Sequence, residues 1–260
     1  MAKRQLRQLT VKSTTRLTTN MQRVVLSAPS LTDFPVDCAS GYIKLLFMPD
    51  GAPLADIASL ERLNGNKPVM RTYTIRAFNA EHLEMTVDFV LHGDDGHSGP
   101  ASGWAKHCQP GDTICIAGPG DIKLINPDAE WFFIAGDMTA LPAISCNLEQ
   151  LPADVTGVAI IEVLDDSDQQ QLVAPEGMEI IWVIGRDHFL SAVRDQPWPE
   201  GSVSAWCACE FSAMREIRQL LKVERAVPRE KLYISSYWKQ GISEEEHKII
   251  KGQDAEKEGA

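Results

Sequence analysis

The hydrophobic pattern changes period half-way along the chain, and that change decides what it can fold into. In the first half Leu83, Met85, Val87, Phe89 and Leu91 alternate with Glu84, Thr86, Asp88 and Val90, the period-2 signature of a strand with one face in a core. Further short segments rich in β-branched and aromatic residues cover 10–16, 23–27, 42–47, 70–77 and 113–117. Pro49-Asp50-Gly51, Pro110-Gly111-Asp112 and Gly118-Pro119-Gly120 punctuate them as turns. This spacing predicts a closed, six-stranded antiparallel β-barrel.

From Trp131 onward the apolar residues come in unbroken runs. Trp131-Phe132-Phe133-Ile134-Ala135-Gly136, residues 157–164 and residues 180–184 read as strands buried on both faces. Residues 142–151 read as a helix with Cys146, Leu148 and Leu151 inward, and 211–223 as a basic amphipathic helix. A last strand is expected at 233–235. Continuous strands alternating with helices predict a parallel-sheet α/β domain. The expected boundary is at Asn126-Pro127-Asp128, giving a barrel domain over 1–126 and an α/β domain over 127–242. Residues 243–260, with Glu244, Glu245 and Glu246 in a row, are expected to be a solvated helix or a frayed tail.

Charge narrows the partners. The 260 residues carry a net charge of −11, which argues against nucleic acid, whose phosphates need a basic face. The first 32 residues nevertheless hold six basic and no acidic side chains. The apolar runs are far shorter than the ~20 residues of a bilayer helix, and no apolar stretch follows the N-terminal basic residues as a secretory leader requires. A cytoplasmic protein without membrane insertion is expected. The six cysteines form no zinc-like pairs, and Cys207-Ala208-Cys209 is too close for C-x-x-C, so reduced, buried thiols are expected, with neither metal nor disulfide.

Three segments carry chemistry. In Arg71-Thr72-Tyr73-Thr74-Ile75-Arg76, alternation puts Arg71, Tyr73 and Ile75 on one face and Thr72 and Thr74 on the other. A guanidinium can grip phosphate and an aromatic ring can stack on a planar cofactor. An ordinary strand with a surface arginine has the same spacing. The second segment, His92 to Ala105, is glycine-rich and precedes a short helix, so the N–H groups of Ala101 and Ser102 would sit at a helix N-terminus, a natural anion site. A plain loop with Ser102 as N-cap is the alternative. His92 and His97 lack a third ligand at metal spacing. In the third, Gly136 ends a buried strand and Pro142 begins a helix, the switch at which α/β sheets bind nucleotides, without the G-x-G-x-x-G fingerprint.

Together these residues resemble the siderophore-interacting protein family, or ferric siderophore reductases, within the ferredoxin-reductase-like flavoproteins. The matching runs are 71–76, 87–105, 110–120, 134–144, 207–218 and 233–241, covering most of residues 10–246. The most specific are Asp88-Phe89-Val90-Leu91-His92-Gly93 and Gly99-Pro100-Ala101-Ser102-Gly103-Trp104. The resemblance implies FAD on the barrel and a reduced nicotinamide, NADH or NADPH, on the α/β domain. It implies flavin contacts from Arg71, Thr72, Tyr73, Thr74, Asp88, Val90, His92, Gly99, Ala101, Ser102, Thr139 and Trp238. It places Gly136, Asp137, Thr139, Leu141, Cys209 and Glu210 at the nicotinamide.

Two positions depart from the family pattern, which usually has Glu at Met138 and Gly at Cys209. Both bear on the donor. An arginine found after Gly-Pro in some members is Gly120 here, and Lys123 is a candidate replacement. Lys44, Lys123 and Lys239 are the candidate landing site for an anionic ferric siderophore, with solvated surface lysines as the alternative. No catalytic acid or base is assigned; His92 reads either as a general acid or as a satisfied loop histidine. Arg186, after the strand at 180–184, is compatible with an adenosine ribose or with bare surface. The implied activity is FAD-dependent reduction of a ferric siderophore, with a ferredoxin as alternative donor and a monomer as the working state. A general flavin or electron-transfer reductase, and a non-enzymatic siderophore-binding module, are the competing readings.

Overall fold

The computed structural model describes residues 5–93 and 99–259; Lys3, Arg4 and His97 lie outside the described residues. The chain divides into two compact units, one ending at Lys123 and the other beginning at Leu124.

The first unit is an antiparallel sheet of β1 (Gln5–Thr18), β2 (Met21–Ser27), β3 (Tyr42–Phe47), β4 (Val69–Thr74), β5 (Ala77–Asn79), β6 (Glu84–Val90) and β7 (Thr113–Gly118). Its strand order is β4-β3-β7-β1-β2-β6-β5. Sequence reasoning expected six strands; the seventh arises because the segment at 70–77 bends. Ile75 N donates to Gly41 O (2.8 Å) on one side of the bend, and Arg76 N to Thr86 O (2.9 Å) on the other. The two halves of one segment therefore lie at opposite ends of the strand order, and the bend closes the barrel. The alternation in β6 delivers Met85, Val87 and Phe89 to the core, where they meet Leu9, Val24, Leu26, Ile43, Leu45 and Ile116. One helix, α1 (Pro100–His107), comes between β6 and β7.

The second unit is a five-stranded, all-parallel sheet in the order β10-β9-β8-β11-β12. Its elements are β8 (Trp131–Asp137), α2 (Leu141–Gln150), β9 (Thr156–Val163), β10 (Gly177–Ile184), α3 (Arg186–Asp195), β11 (Val203–Glu210), α4 (Phe211–Gln219), β12 (Leu232–Trp238) and α5 (Glu244–Gly259). All eight residues of β11 are buried, as its place between β8 and β12 requires. Neither β11 nor α3 was expected from the sequence. The expected helix at 211–223 is divided, its last turn being π-helical over Leu220–Glu224.

The charged end is a docked helix, not a frayed tail. Arg218 Nη1 meets Asp254 Oδ2 at 2.7 Å and Lys222 Nζ meets Glu258 Oε2 at 3.0 Å, tying α5 to α4 and the turn after it. The buried His247 Nε2 lies 2.8 Å from Ser236 Oγ, and Lys251 Nζ donates to Ser235 Oγ (2.6 Å) and Ser236 O (2.9 Å) on β12. Among the described residues no helix is long and apolar enough to cross a membrane.

Candidate functional site

In the first unit the register sorts the β4 side chains. Leu45 pairs with Arg71 and Ile43 with Tyr73, so the arginine and tyrosine share the face of core residues. Lys44 pairs with Thr72 and Tyr42 with Thr74, so these four share the other face. The Tyr73 ring lies 4.3 Å from that of Phe89, which lies 5.8 Å from that of Trp104, a row of rings from β4 to α1. Arg71 lines a cavity of about 530 Å³ together with Asp50, Gly51, Val69, Gly99, Gly103 and Trp104.

The start of α1 faces the same cavity through Gly99 and Pro100. Gly99 is the N-cap and offers no side-chain hydrogen bond; Pro100, at the first helical position, has no N–H to satisfy. The Ser102 hydroxyl does not cap either. It accepts from His92 N (3.1 Å) and donates to His92 O (3.3 Å), fixing the entry to the helix. A Cβ on Gly99 would meet the His92 ring at 3.6 Å, an ordinary van der Waals contact, so the two residues adjoin at the cavity edge. A guanidinium and a helix N-terminus on one cavity fit the diphosphate of a dinucleotide.

Of the residues that the resemblance places at the flavin, Arg71 and Gly99 line this cavity, and Asp88 and Val90 are engaged in the sheet. Asp88 receives a bidentate ion pair from Arg23 (2.7 and 2.8 Å), its register partner on β2, and does not line the cavity. Val90 pairs with Met21 at the end of β6 and does not line it either. Lys44 Nζ donates to Thr72 Oγ1 (3.2 Å) and sits 5.9 Å from the centre of the Tyr42 ring. Gly120 N donates to Tyr42 O (2.7 Å), and a Cβ on Gly120 would fall within the Tyr42 ring. The aromatic ring thus fills the space that a side chain at 120 would need. Lys123, three residues on, is exposed.

In the second unit the carboxyl ends of the strands converge on a knot of charge. Asp137, 5% exposed, accepts from Thr139 N (3.0 Å) and Oγ1 (2.5 Å) at one oxygen, and from Glu210 N (2.8 Å) and Trp238 Nε1 (2.8 Å) at the other. Burial pushes its pKa up against those hydrogen bonds. Glu210 caps α4, accepting from Ser212 N (2.6 Å) and Ala213 N (3.3 Å), and takes a further bond from Gln240 N (3.3 Å). Burial opposes its charge, but those amides and the Arg186 guanidinium outweigh it and hold its pKa below the usual range. Arg186 bridges Glu162 (Nε to Oε2, 3.0 Å) and Glu210 (Nη1 to Oε2, 3.0 Å). Burial raises the pKa of Glu162, with Arg186 pulling the other way.

Three residues of the expected donor side are buried. Cys209 is fully buried, and its hydrogen bond with Cys207 together with burial pushes the thiol well above its usual range. Met138 is 3% exposed, and its sulfur accepts from Leu164 N at 3.4 Å, bracing the end of β9. Leu141 is buried at the start of α2. Gly136 has a packing reason: a Cβ there would meet Ala208 O at 2.6 Å. Lys239 Nζ lies 5.0 Å from the centre of the Phe211 ring. Sequence reasoning missed Glu162 and the double engagement of Arg186, because the three partners lie on separate strands and a helix.

Residues 10–122 match the siderophore-interacting FAD-binding domain and residues 129–241 the siderophore-interacting protein domain. The chain belongs to the siderophore-interacting protein family. It is similar to the ferric vibriobactin reductase of Vibrio cholerae, 33% identical over 87% of this chain and 86% of that one. It is also similar to the NADPH-dependent ferric-chelate reductase of Escherichia coli, 27% identical over 89% of this chain and 92% of that one. The crystal structure of the siderophore-interacting protein SipS from Aeromonas hydrophila superposes with a TM-score of 0.84 at 32% identity, covering 97% of this chain and 99% of that one.

Proposed function

We propose that this family member is an FAD-dependent ferric siderophore reductase that acts in the cytoplasm, taking electrons from a reduced nicotinamide or a ferredoxin and releasing Fe(II). The observation that carries the reading is the cavity shared by Arg71 and the start of α1, within the stretch that matches an FAD-binding domain. Arg71, the first-turn amides of α1 and Gly99 would hold the diphosphate. Tyr73 and Thr74, further along β4, would meet the flavin. Bound FAD supplies the conversion of a two-electron hydride into single electrons, which ferric iron needs because it accepts one at a time. Fe(III) is harder than Fe(II) and prefers the hard oxygen ligands of a siderophore more strongly, so reduction loosens the chelate.

The names of the Vibrio and Escherichia relatives support the iron substrate. Ferric triscatecholates are anions approaching a chain of net charge −11, so a local cation is required. Lys44 suits that task, since Thr72 and the Tyr42 ring hold its ammonium at the strand surface. The test is an anaerobic spectrum of the purified protein. Oxidised flavin absorbance should bleach with donor and return when a ferric siderophore is added. Recovery with free flavin but not with ferric siderophores favours a general flavin reductase. Absence of flavin favours a binding module.

A further inference from the structure

The strand order of the second unit reverses between β8 and β11, with β9 and β10 on one side and β12 on the other. Dinucleotides bind at such reversal points, outside the carboxyl ends of the strands. There a carboxylate at the end of the second strand takes the adenosine ribose hydroxyls, or a nearby arginine takes a 2′-phosphate. Both residue types are present here. Glu162 is the penultimate residue of β9, the second strand in chain order, and Arg186 opens α3.

They are bonded to each other. Arg186 gives Nε to Glu162 and Nη1 to Glu210, both at 3.0 Å, and Asp137 adds a third negative neighbour. The other natural phosphate seat, the N-terminus of α4, already holds the chain's own carboxylate, because Glu210 accepts from Ser212 N and Ala213 N. Asp165 and Asp166, exposed just beyond β9, add further negative charge. A 2′-phosphate, carrying roughly two negative charges, would face a guanidinium already matched by carboxylates, or would have to displace Glu162 and leave it unpaired. A bare 2′-hydroxyl does neither and can donate to a carboxylate.

Resting on the reading of this unit as the donor side, we infer that the crevice selects NADH over NADPH, and that Glu162 sets this choice as a positioning residue by holding Arg186. The preference is opposite to the donor in the name of the Escherichia coli relative.

The test pairs binding with turnover. In calorimetric titration of the purified flavoprotein, ADP-ribose should bind at least about tenfold more tightly than 2′-phospho-ADP-ribose, and kcat/KM for flavin reduction should favour NADH by a similar factor. In Glu162→Gln both ratios should move at least about fivefold toward the phosphorylated ligand, and adding Arg186→Ala should cancel that gain. Equal or tighter binding of 2′-phospho-ADP-ribose by the unmodified protein overturns the inference, as does binding of neither ligand. An unchanged ratio in Glu162→Gln removes Glu162 from the role. Dithionite-reduced protein mixed with a ferric siderophore tests the reductase reading without any nicotinamide, so the two ideas fail separately.

Discussion

The Trp238 indole nitrogen donates to Asp137 Oδ2 at 2.8 Å, tying the carboxyl end of β12 to that of β8 across the intervening β11. Trp238→Phe keeps a ring but removes this bond to a buried carboxyl group. It should lower stability by about 1–2 kcal/mol, read as a shift of the urea midpoint at unchanged slope. No shift would mean that Asp137 is satisfied by Thr139 and Glu210 alone.

Arg71 lines the barrel cavity together with the start of α1. Arg71→Ala should weaken FAD binding by about tenfold to a hundredfold, the worth of a charge-assisted hydrogen bond. Flavin fluorescence on titration into stripped protein reads this directly. Retention equal to the unmodified protein would place the diphosphate elsewhere.

Lys44→Ala should raise KM for ferric triscatecholates and leave flavin reduction by the donor nearly unchanged. The effect should shrink with added salt, because exposed charges are screened beyond about 8–10 Å at physiological ionic strength. A neutral ferric trihydroxamate should feel the change much less. Equal effects on charged and neutral chelates would reduce Lys44 to a structural lysine.

All six cysteines are buried, and burial pushes Cys108 and Cys115 up to about 11. Thiolate is the reactive form, so a chromogenic disulfide reagent at pH 8 should label none of the six in minutes and all six in denaturant. Rapid native labelling of Cys209 would contradict its place in the core of the second unit.

His247 links α5 to β12, facing Ser236, the Phe211 ring, Lys251, Glu244, Glu210 and Lys239. Burial first, and then Lys251, holds its pKa below the ordinary 6.5. The neutral ring is the folded form, so its contribution to stability is full above pH 6.5 and is lost as pH falls through the lower folded value. Amide exchange in α5 should therefore quicken at pH 5 relative to pH 7.5, and His247→Gln should flatten the difference. Exchange that ignores both changes would mean that α5 is held by its ion pairs with Arg218 and Lys222 and by Lys251, and not by His247.

The barrel was legible because its strands carry a strict alternation, as in Leu83 to Leu91, and its turns carry Gly and Pro. β11 was not, because Ser204, Ala205 and Ala208 dilute its apolar run, though no charge interrupts it before Glu210. Arg71 and Gly99 could be matched from motif spacing, since each is local to one strand or one helix start. The Arg186–Glu162–Glu210 knot could not, because it exists only after β9, β11 and α3 have converged. The Arg23–Asp88 ion pair was hidden for the same reason: the two residues are 65 apart and meet only through strand register.

The bend at Ile75 and Arg76 has a mechanical consequence. A cylinder whose last wall is zipped only by a hydrogen-bonded ladder can part along that seam. In this barrel the closing wall is shared, one chain segment serving β3 through its first half and β6 through its second. The strand that carries Arg71 and Tyr73 is therefore tethered by covalent backbone to the wall that carries Met85 and Phe89. Parting the cylinder at that corner would therefore have to break the hydrogen bonds of β5 with β6 or turn the backbone at the bend, and could not happen by simple sliding of two separate strands.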